Sequence, residues 1–187
     1  KRQAVAGLAV VVRVGVLTFG GLFALSGAIG GIIGQNYGAH RMDRVKAAYR
    51  DALVFCFVYT MAAWAILALA SETMVAVFHL GGDAAVVLRT FTHIAAFGYS
   101  FTGFVFVANA VFNNLGKPGY STISNWLRDG VLMYPACLVF GTWYAAQGVL
   151  YGQMAASIVA GLFAMVWGWR YVSRLEAGAR TQTATSS

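Results

Sequence analysis

Charge is scarce in this sequence. Only 10% of its 187 residues are Asp, Glu, Lys or Arg, six of them acidic, whereas 59% are hydrophobic; a soluble domain is usually about 25% charged and about 45–50% apolar. Such a chain cannot hide its apolar surface in a water-soluble core. Cysteine is nearly absent: Cys56 and Cys137 stand alone, without metal-type spacing, and read as small apolar residues. No nucleophile with a base, phosphate-cradling loop or metal cluster is present, so neither an enzyme nor a cofactor is expected. A net charge of +7 suggests a polyanionic partner, but no basic face with interleaved aromatics accompanies it, so nucleic acid is not expected. No charged start followed by a short apolar core and a cleavage site is visible, and a removable signal peptide is not expected.

What is present is a set of long uncharged runs, at 14–39, 52–71, 90–116 and 130–169. A bilayer core needs about 20 apolar residues per helix, and the last run is about twice that. It breaks at Gly141-Thr142-Trp143-Tyr144-Ala145-Ala146-Gln147-Gly148, where a Gly at each end and interfacial aromatics suit a short loop at the headgroups. The expected fold is an all-α integral membrane bundle of about five transmembrane helices, at about 14–37, 51–71, 86–114, 119–141 and 148–170, with edges good to about two to four residues. Continuous apolarity, without alternation, excludes barrel strands. Ala4 to Val12 is apolar but too short to cross. The polar end, residues 176–187, lacks periodicity and reads as a disordered cytoplasmic tail.

Positive charge orients these spans. The uncharged first run ends at the turn Gly34-Gln35-Asn36-Tyr37-Gly38-Ala39 and meets Arg41, Arg44, Lys46 and Arg50 directly. Counted on alternate sides, those four join Lys117, Arg170, Arg174 and Arg180, while the other side has Arg89 beside Glu72 and Asp83. The first set is expected in the cytoplasm, with the C-terminus, in a cell or inner membrane. Lys1, Arg2 and Arg13 fall on the opposite side of this scheme.

Several residues stand out within the spans. Gly27 and Gly31, like Gly30 and Gly34, are four apart, which leaves a helix face of nearly bare backbone for close packing. Gln35 and Asn36 are expected to cap that helix, with Gly38 in the turn. Tyr99, Thr102, Phe106, Asn109 and Asn113 recur at three and four and form one stripe. Amides avoid lipid, so the stripe faces either a neighbouring helix, as structural glue, or a cavity for a lipophilic cation. His93 lies nearer the outer end, without an obvious carboxylate partner, and suits an interface better than proton carriage. Ser121, Ser124, Asn125 and Arg128 share a face of the fourth span. Arg128 and Asp129 are the only charges expected inside the membrane, which makes them functional candidates; pointing about 100° apart on a helix, each could pair with another helix. Pro135 further along is an expected kink.

Two segments carry a family resemblance. Residues 24–39, from Ala24-Leu25-Ser26-Gly27 to Asn36-Tyr37-Gly38-Ala39, and then Phe106-Val107-Ala108-Asn109-Ala110-Val111-Phe112-Asn113-Asn114-Leu115-Gly116-Lys117-Pro118 with Ser124-Asn125-Trp126-Leu127-Arg128, resemble the multidrug and toxic compound extrusion (MATE) transporters. The resemblance implies twelve helices in two lobes around a central cavity, with this chain as the end of helix seven and helices eight to twelve. It implies a secondary antiporter that exports lipophilic organic cations for protons or sodium ions, the missing N-terminal lobe being its partner. Sodium-coupled members carry an aspartate where Phe104 stands here, so coupling either rests on acids of the N-terminal lobe, as in the proton-coupled branch, or falls to Asp129. A lipid-linked oligosaccharide flippase of the same superfamily, a non-transporting membrane scaffold and a truncated product are the alternatives.

Overall fold

The computed structural model describes residues 2–185, and the regular structure within them is helical. Two helices open the chain, α1 (Arg2–Phe19) and α2 (Gly21–Gly38), interrupted only at Gly20, whose backbone stays near helical at φ −56°, ψ −28°. Together Gly7–Gly38 form a largely apolar stretch of 32 residues, about 48 Å at 1.5 Å per residue against a hydrocarbon core of about 30 Å. The first pass therefore begins well before residue 14, and Ala4 to Val12 belongs to it instead of standing apart. Nothing in that stretch breaks a helix, and α1 lies hard against the next outer helix: a Cβ on Gly7 would meet the Ala84 carbonyl oxygen at 2.8 Å. Arg13 is exposed on α1.

The turn after α2 places its left-handed residue at His40 (φ 57°), not at a glycine. Arg41 N–H reaches back to the Asn36 carbonyl at 2.9 Å, and Ala39 N–H to that of Gln35 at 3.0 Å. The helix that follows, α3 (Met42–Val77), is 36 residues long. Its buried polar groups are bonded across helices: Thr60 Oγ1 to Ser100 Oγ and Ser71 Oγ to Thr92 Oγ1, each at 2.8 Å, which keeps hydroxyls away from hydrocarbon.

The third expected span is not one helix. It divides into α4 (Gly82–His93), a 3₁₀ turn at Ala95–Gly98 and α5 (Tyr99–Asn114), the chain leaving helical geometry at Ile94 (φ −125°, ψ −63°). Small residues let the chain pack closely at the break. Ala95, Ala96 and Gly98 are small enough to be buried, and Gly98 comes within 3.1 Å of the Met154 backbone as judged from an added Cβ.

After Pro118, at the first turn of α6 (Pro118–Trp126), the chain widens into a π-helical segment, Leu127–Met133, and continues as α7 (Tyr134–Thr185). The π segment stands where a kink at Pro135 was expected: that proline offers no N–H to the Val131 carbonyl, and its ring crowds it. Within α7, Ala145 takes φ 52°, ψ −127°, and the chain doubles back. Cys137 Sγ lies 3.5 Å from the Val149 carbonyl, and the rings of Tyr144 and Tyr151 are 5.8 Å apart. The apolar stretch Pro118–Ala179 is thus two limbs, giving five passes in all. The tail is helical through Thr185 where disorder was expected from residue 176. Lys46 Nζ bonds Glu176 Oε2 at 2.9 Å, which holds the last turns against α3.

Large apolar side chains remain outside the bundle, among them Leu17, Leu69 and Trp126, a surface suited to lipid. The molecule is a multi-pass integral membrane protein.

Candidate functional site

The breaks in the helices surround the site. The start of α5, the π segment and the second limb of α7 enclose a cavity of about 240 Å³ whose lining includes Phe91, Tyr99, Thr102, Arg128, Asp129 and Gln153. A second cavity, of about 160 Å³, lies toward α1 and α2 and is lined by Phe19, Phe23, Phe106 and again Tyr99, Thr102 and Arg128. Those last three form the shared wall.

Each wall residue is held. Tyr99 stacks on Phe19 with centroids 4.1 Å apart and meets Phe91 edge-on at 6.2 Å. Thr102 Oγ1 donates to Ser157 Oγ at 3.2 Å. Arg128 and Asp129 pair with each other, not with other helices: Nε donates to Oδ1 at 2.7 Å and Nη2 to Oδ2 at 3.1 Å. The pair lies within the π segment, but sequence neighbours close the same way in a regular helix, Arg50 on Asp51 of α3 at 2.9 Å. The guanidinium also lies 5.7 Å from the Phe106 ring centroid, within cation–π range. The Arg128 side chain is 17% exposed and that of Asp129 47%, so the carboxylate is the more accessible partner.

The lower part of the stripe does something else. Asn109 Nδ2 donates to Asn125 Oδ1 at 2.9 Å, and Ser121 Oγ is shared between the Asn109 carbonyl at 3.2 Å and Asn113 Oδ1 at 2.8 Å. Neither Asn109 nor Asn113 lines the two cavities that share Arg128. Of the two readings of these amides, the helix–helix joint describes their contacts. His93 is exposed, and its carbonyl accepts from the Trp64 indole at 3.2 Å.

The glycine stripe on α2 is not a contact between bare helix backbones. Nothing lies within 4 Å of a Cβ added to Gly27, Gly31 or Gly38, while Gly30 and Gly34 receive the Asn114 side chain, at 2.8 and 3.3 Å. A side-chain amide occupies the groove that a neighbouring helix was expected to fill. Gln35 gives its carbonyl to the turn, and Asn36 Nδ2 turns back to the Ile32 carbonyl at 2.8 Å.

Comparison with known proteins decides the family. The MatE family model matches residues 1–139. The chain belongs to the MatE family. A curated relative, the "Uncharacterized 21 kDa protein in iaaL 5'region" of Pseudomonas savastanoi, is 30% identical over 175 residues, covering 88% of this chain and 54% of that protein. Among solved structures, the bent form of the Vibrio cholerae MATE transporter VcmN is similar at TM-score 0.86 and 19% identity, over 95% of this chain and 40% of that one. An outward-facing multidrug resistance MATE family transporter of the MOP superfamily is similar at TM-score 0.83 and 20% identity, over 92% of this chain and 39% of that one. An inward-facing one follows at 0.81 and 22%, over 92% and 40%. The chain thus spans about half the length of its curated relative and about two fifths of these transporters.

Within this MatE chain, Phe104 is buried between Phe101 and Phe57, at centroid separations of 5.7 and 6.5 Å, an apolar setting with no carboxylate. Outside α2 the MatE bundle has glycines packed against backbone and buried side chains. A Cβ on Gly161 would collide with the Phe101 carbonyl oxygen, one on Gly103 with Cys56 Sγ, and one on Gly152 would meet the Cys137 nitrogen at 2.7 Å. Gly152 belongs to a run of small residues four apart, with Gly148, Ala156, Ala160, Ala164 and Gly168, a spacing as legible as that of α2, whereas Gly103 has no small residue four away on either side.

Proposed function

We propose that this chain is most of the C-terminal lobe of a secondary antiporter that exports lipophilic organic cations for protons or sodium ions by alternating access. The observation that carries this reading is the wall of Tyr99, Thr102 and Arg128 between two cavities, with Phe106 lining the smaller one: aromatic faces and a paired charge inside a membrane protein form a surface for an amphiphilic ion. Neither cavity, at about 240 and 160 Å³, reaches the roughly 300–1,000 Å³ of a drug-sized site. An opposing N-terminal lobe would complete the enclosure, and rocking of the lobes would open it to each side in turn. With Phe104 in the place of an aspartate, coupling falls to acids of that lobe, which favours protons over sodium. The charge asymmetry of the loops supports a cytoplasmic C-terminus, as in an inner-membrane protein.

The test is accumulation of a cationic dye in cells expressing the full-length reading frame, with the proton and sodium gradients collapsed separately. Loss of the dye that depends on one gradient supports antiport and names the ion. Accumulation equal to that of empty cells, with the protein in the membrane, overturns it and turns attention to a flippase or a scaffold.

A further inference from the structure

Lys117, Arg170 and Arg174 are exposed, and among the described residues no side chain forms an ion pair with them. Five of the chain's six acids already hold another cation: Asp43 holds Arg41, Asp51 holds Arg50, Glu72 holds Arg89, Asp129 holds Arg128 and Glu176 holds Lys46. The sixth, Asp83, opens α4 beyond the far end of α3. Within the described chain, no acid is left for these three cations.

The fold brings them to one groove. Trp167, Arg170, Tyr171 and Arg174 recur at three and four along α7 and share a face. That face meets the start of α6: the Tyr120 ring lies 4.7 Å from Trp167 and 5.7 Å from Tyr171, centroid to centroid. The Tyr171 hydroxyl donates to the Leu115 carbonyl at 3.4 Å, two residues before Lys117. In the other direction Phe163 packs on Trp167 at 5.4 Å and stays 45% exposed. The uncharged run that contains Phe163 ends at Arg170, so the groove leads from hydrocarbon, past half-buried aromatic rings, to cations at headgroup depth.

A soluble anion would answer the cations and leave the apolar part of the groove bare, and a neutral lipid would do the reverse. An anionic phospholipid does both: its phosphate meets the cations in charge-assisted bonds, and its acyl chain covers Phe163. We propose that the groove between α6 and the end of α7 binds an anionic phospholipid, with its headgroup toward Lys117, Arg170 and Arg174.

The test uses phosphatidylglycerol and phosphatidylcholine carrying the same diazirine acyl chain, each as a trace in phosphatidylcholine bilayers that hold the full-length protein. Photolabelling of residues 163–174 is read by mass spectrometry. The anionic lipid should label in excess of the neutral one, and the ratio should fall about fivefold in Lys117→Gln or Arg174→Gln, the worth of one cation beside an anionic surface. Arg44→Gln, which removes an exposed cation of α3, should leave the ratio unchanged, and so should an excess of glycerol phosphate. Equal labelling by the two lipids, or a ratio that neither Lys117→Gln nor Arg174→Gln lowers, overturns the proposal. So does an equal fall in Arg44→Gln, which would assign the preference to the field of the whole surface, or displacement by glycerol phosphate, which would assign the cations to a free phosphate.

Discussion

Trp64 donates its indole Nε1 to the carbonyl of His93 at 3.2 Å, at the place where α4 ends and the chain leaves helical geometry. In an unbroken helix that carbonyl would accept from Phe97, whose N–H instead goes to Ile94 at 3.2 Å. One helical turn along α3, Tyr59 does the same for the other break, its hydroxyl donating to the Thr18 carbonyl at 2.7 Å. Two side chains of one helix thus serve backbone groups freed in two others. A broken helix is tolerated at membrane depth only where such partners exist.

Replacing Trp64 by Phe keeps the ring that packs edge-on against Phe97 at 5.8 Å and removes the donor. The expected loss is about 1 kcal/mol, the usual worth of a hydrogen bond, seen as a lower melting temperature of the purified protein. A melting temperature equal to that of the natural protein would mean the His93 carbonyl is served in another way.

Glycine positions divide sharply. Gly161→Ala drives a methyl group into the Phe101 carbonyl, backbone against backbone, and should destabilise by about 1–3 kcal/mol or more. Gly27→Ala meets nothing within 4 Å and gains up to about 1 kcal/mol of helix propensity. Melting curves of the two variants should move in opposite directions; a fall for both would return the α2 stripe to the role of a packing surface.

Asn109 and Asn125 join α5 to α6. Asn109→Leu and Asn125→Leu should each lower stability, and the double variant should cost less than their sum, by a coupling of about 0.6 kcal/mol as found for such bonds in membranes. Additive losses would show that the two amides do not bond each other.

How much of this was legible follows from the kind of signal involved. The membrane class, five passes and the reversal near Ala145 rest on composition and run length, which act over about twenty residues and are hard to miss. The break at Ile94 rests on Trp64, thirty residues away in the chain, and no periodicity reports such a partner. Tyr99, Thr102 and Phe106 line the cavities, but Asn109 and Asn113, on the same stripe, turn to α6 because Ser121 and Asn125 are there to meet them. A stripe marks a polar face; what faces it belongs to another helix. Arg128 and Asp129 stand out by cost alone, yet they pair with each other inside a π segment, which Pro135, six residues before the loop at Gly141, could suggest only as a kink.

The C-terminal end of α7 makes a test of the helical tail. Lys46 lies over the Trp169 ring at 5.3 Å as well as on Glu176, so Lys46→Met removes a cation from two contacts. The pair is partly shielded, with side-chain exposures of 32% and 12%, which puts its worth above that of an open surface bridge, at about 1–2 kcal/mol. Hydrogen exchange should quicken over 176–185 in the variant, and Lys46→Met with Glu176→Leu should recover part of the protection. Unchanged exchange in the single variant would leave the tail's helicity to its own backbone.

Asp129→Asn bears most directly on transport. The substitution keeps the side chain's shape and leaves Arg128 as an uncompensated charge in the wall shared by both cavities. A cationic dye then meets repulsion with no attraction beside it, and the guanidinium loses its best acceptor. Export of the dye should fall about tenfold or more, since a single close charge contact is worth that much where water is scarce. The double variant Arg128→Gln with Asp129→Asn removes both charges and should recover part of the export, because the field at the wall returns to neutral. That recovery separates electrostatics from damage to the π segment, which would leave the double variant as poor as the single one. Full export by Asp129→Asn at a matched amount of protein in the membrane would remove the pair from the transport site.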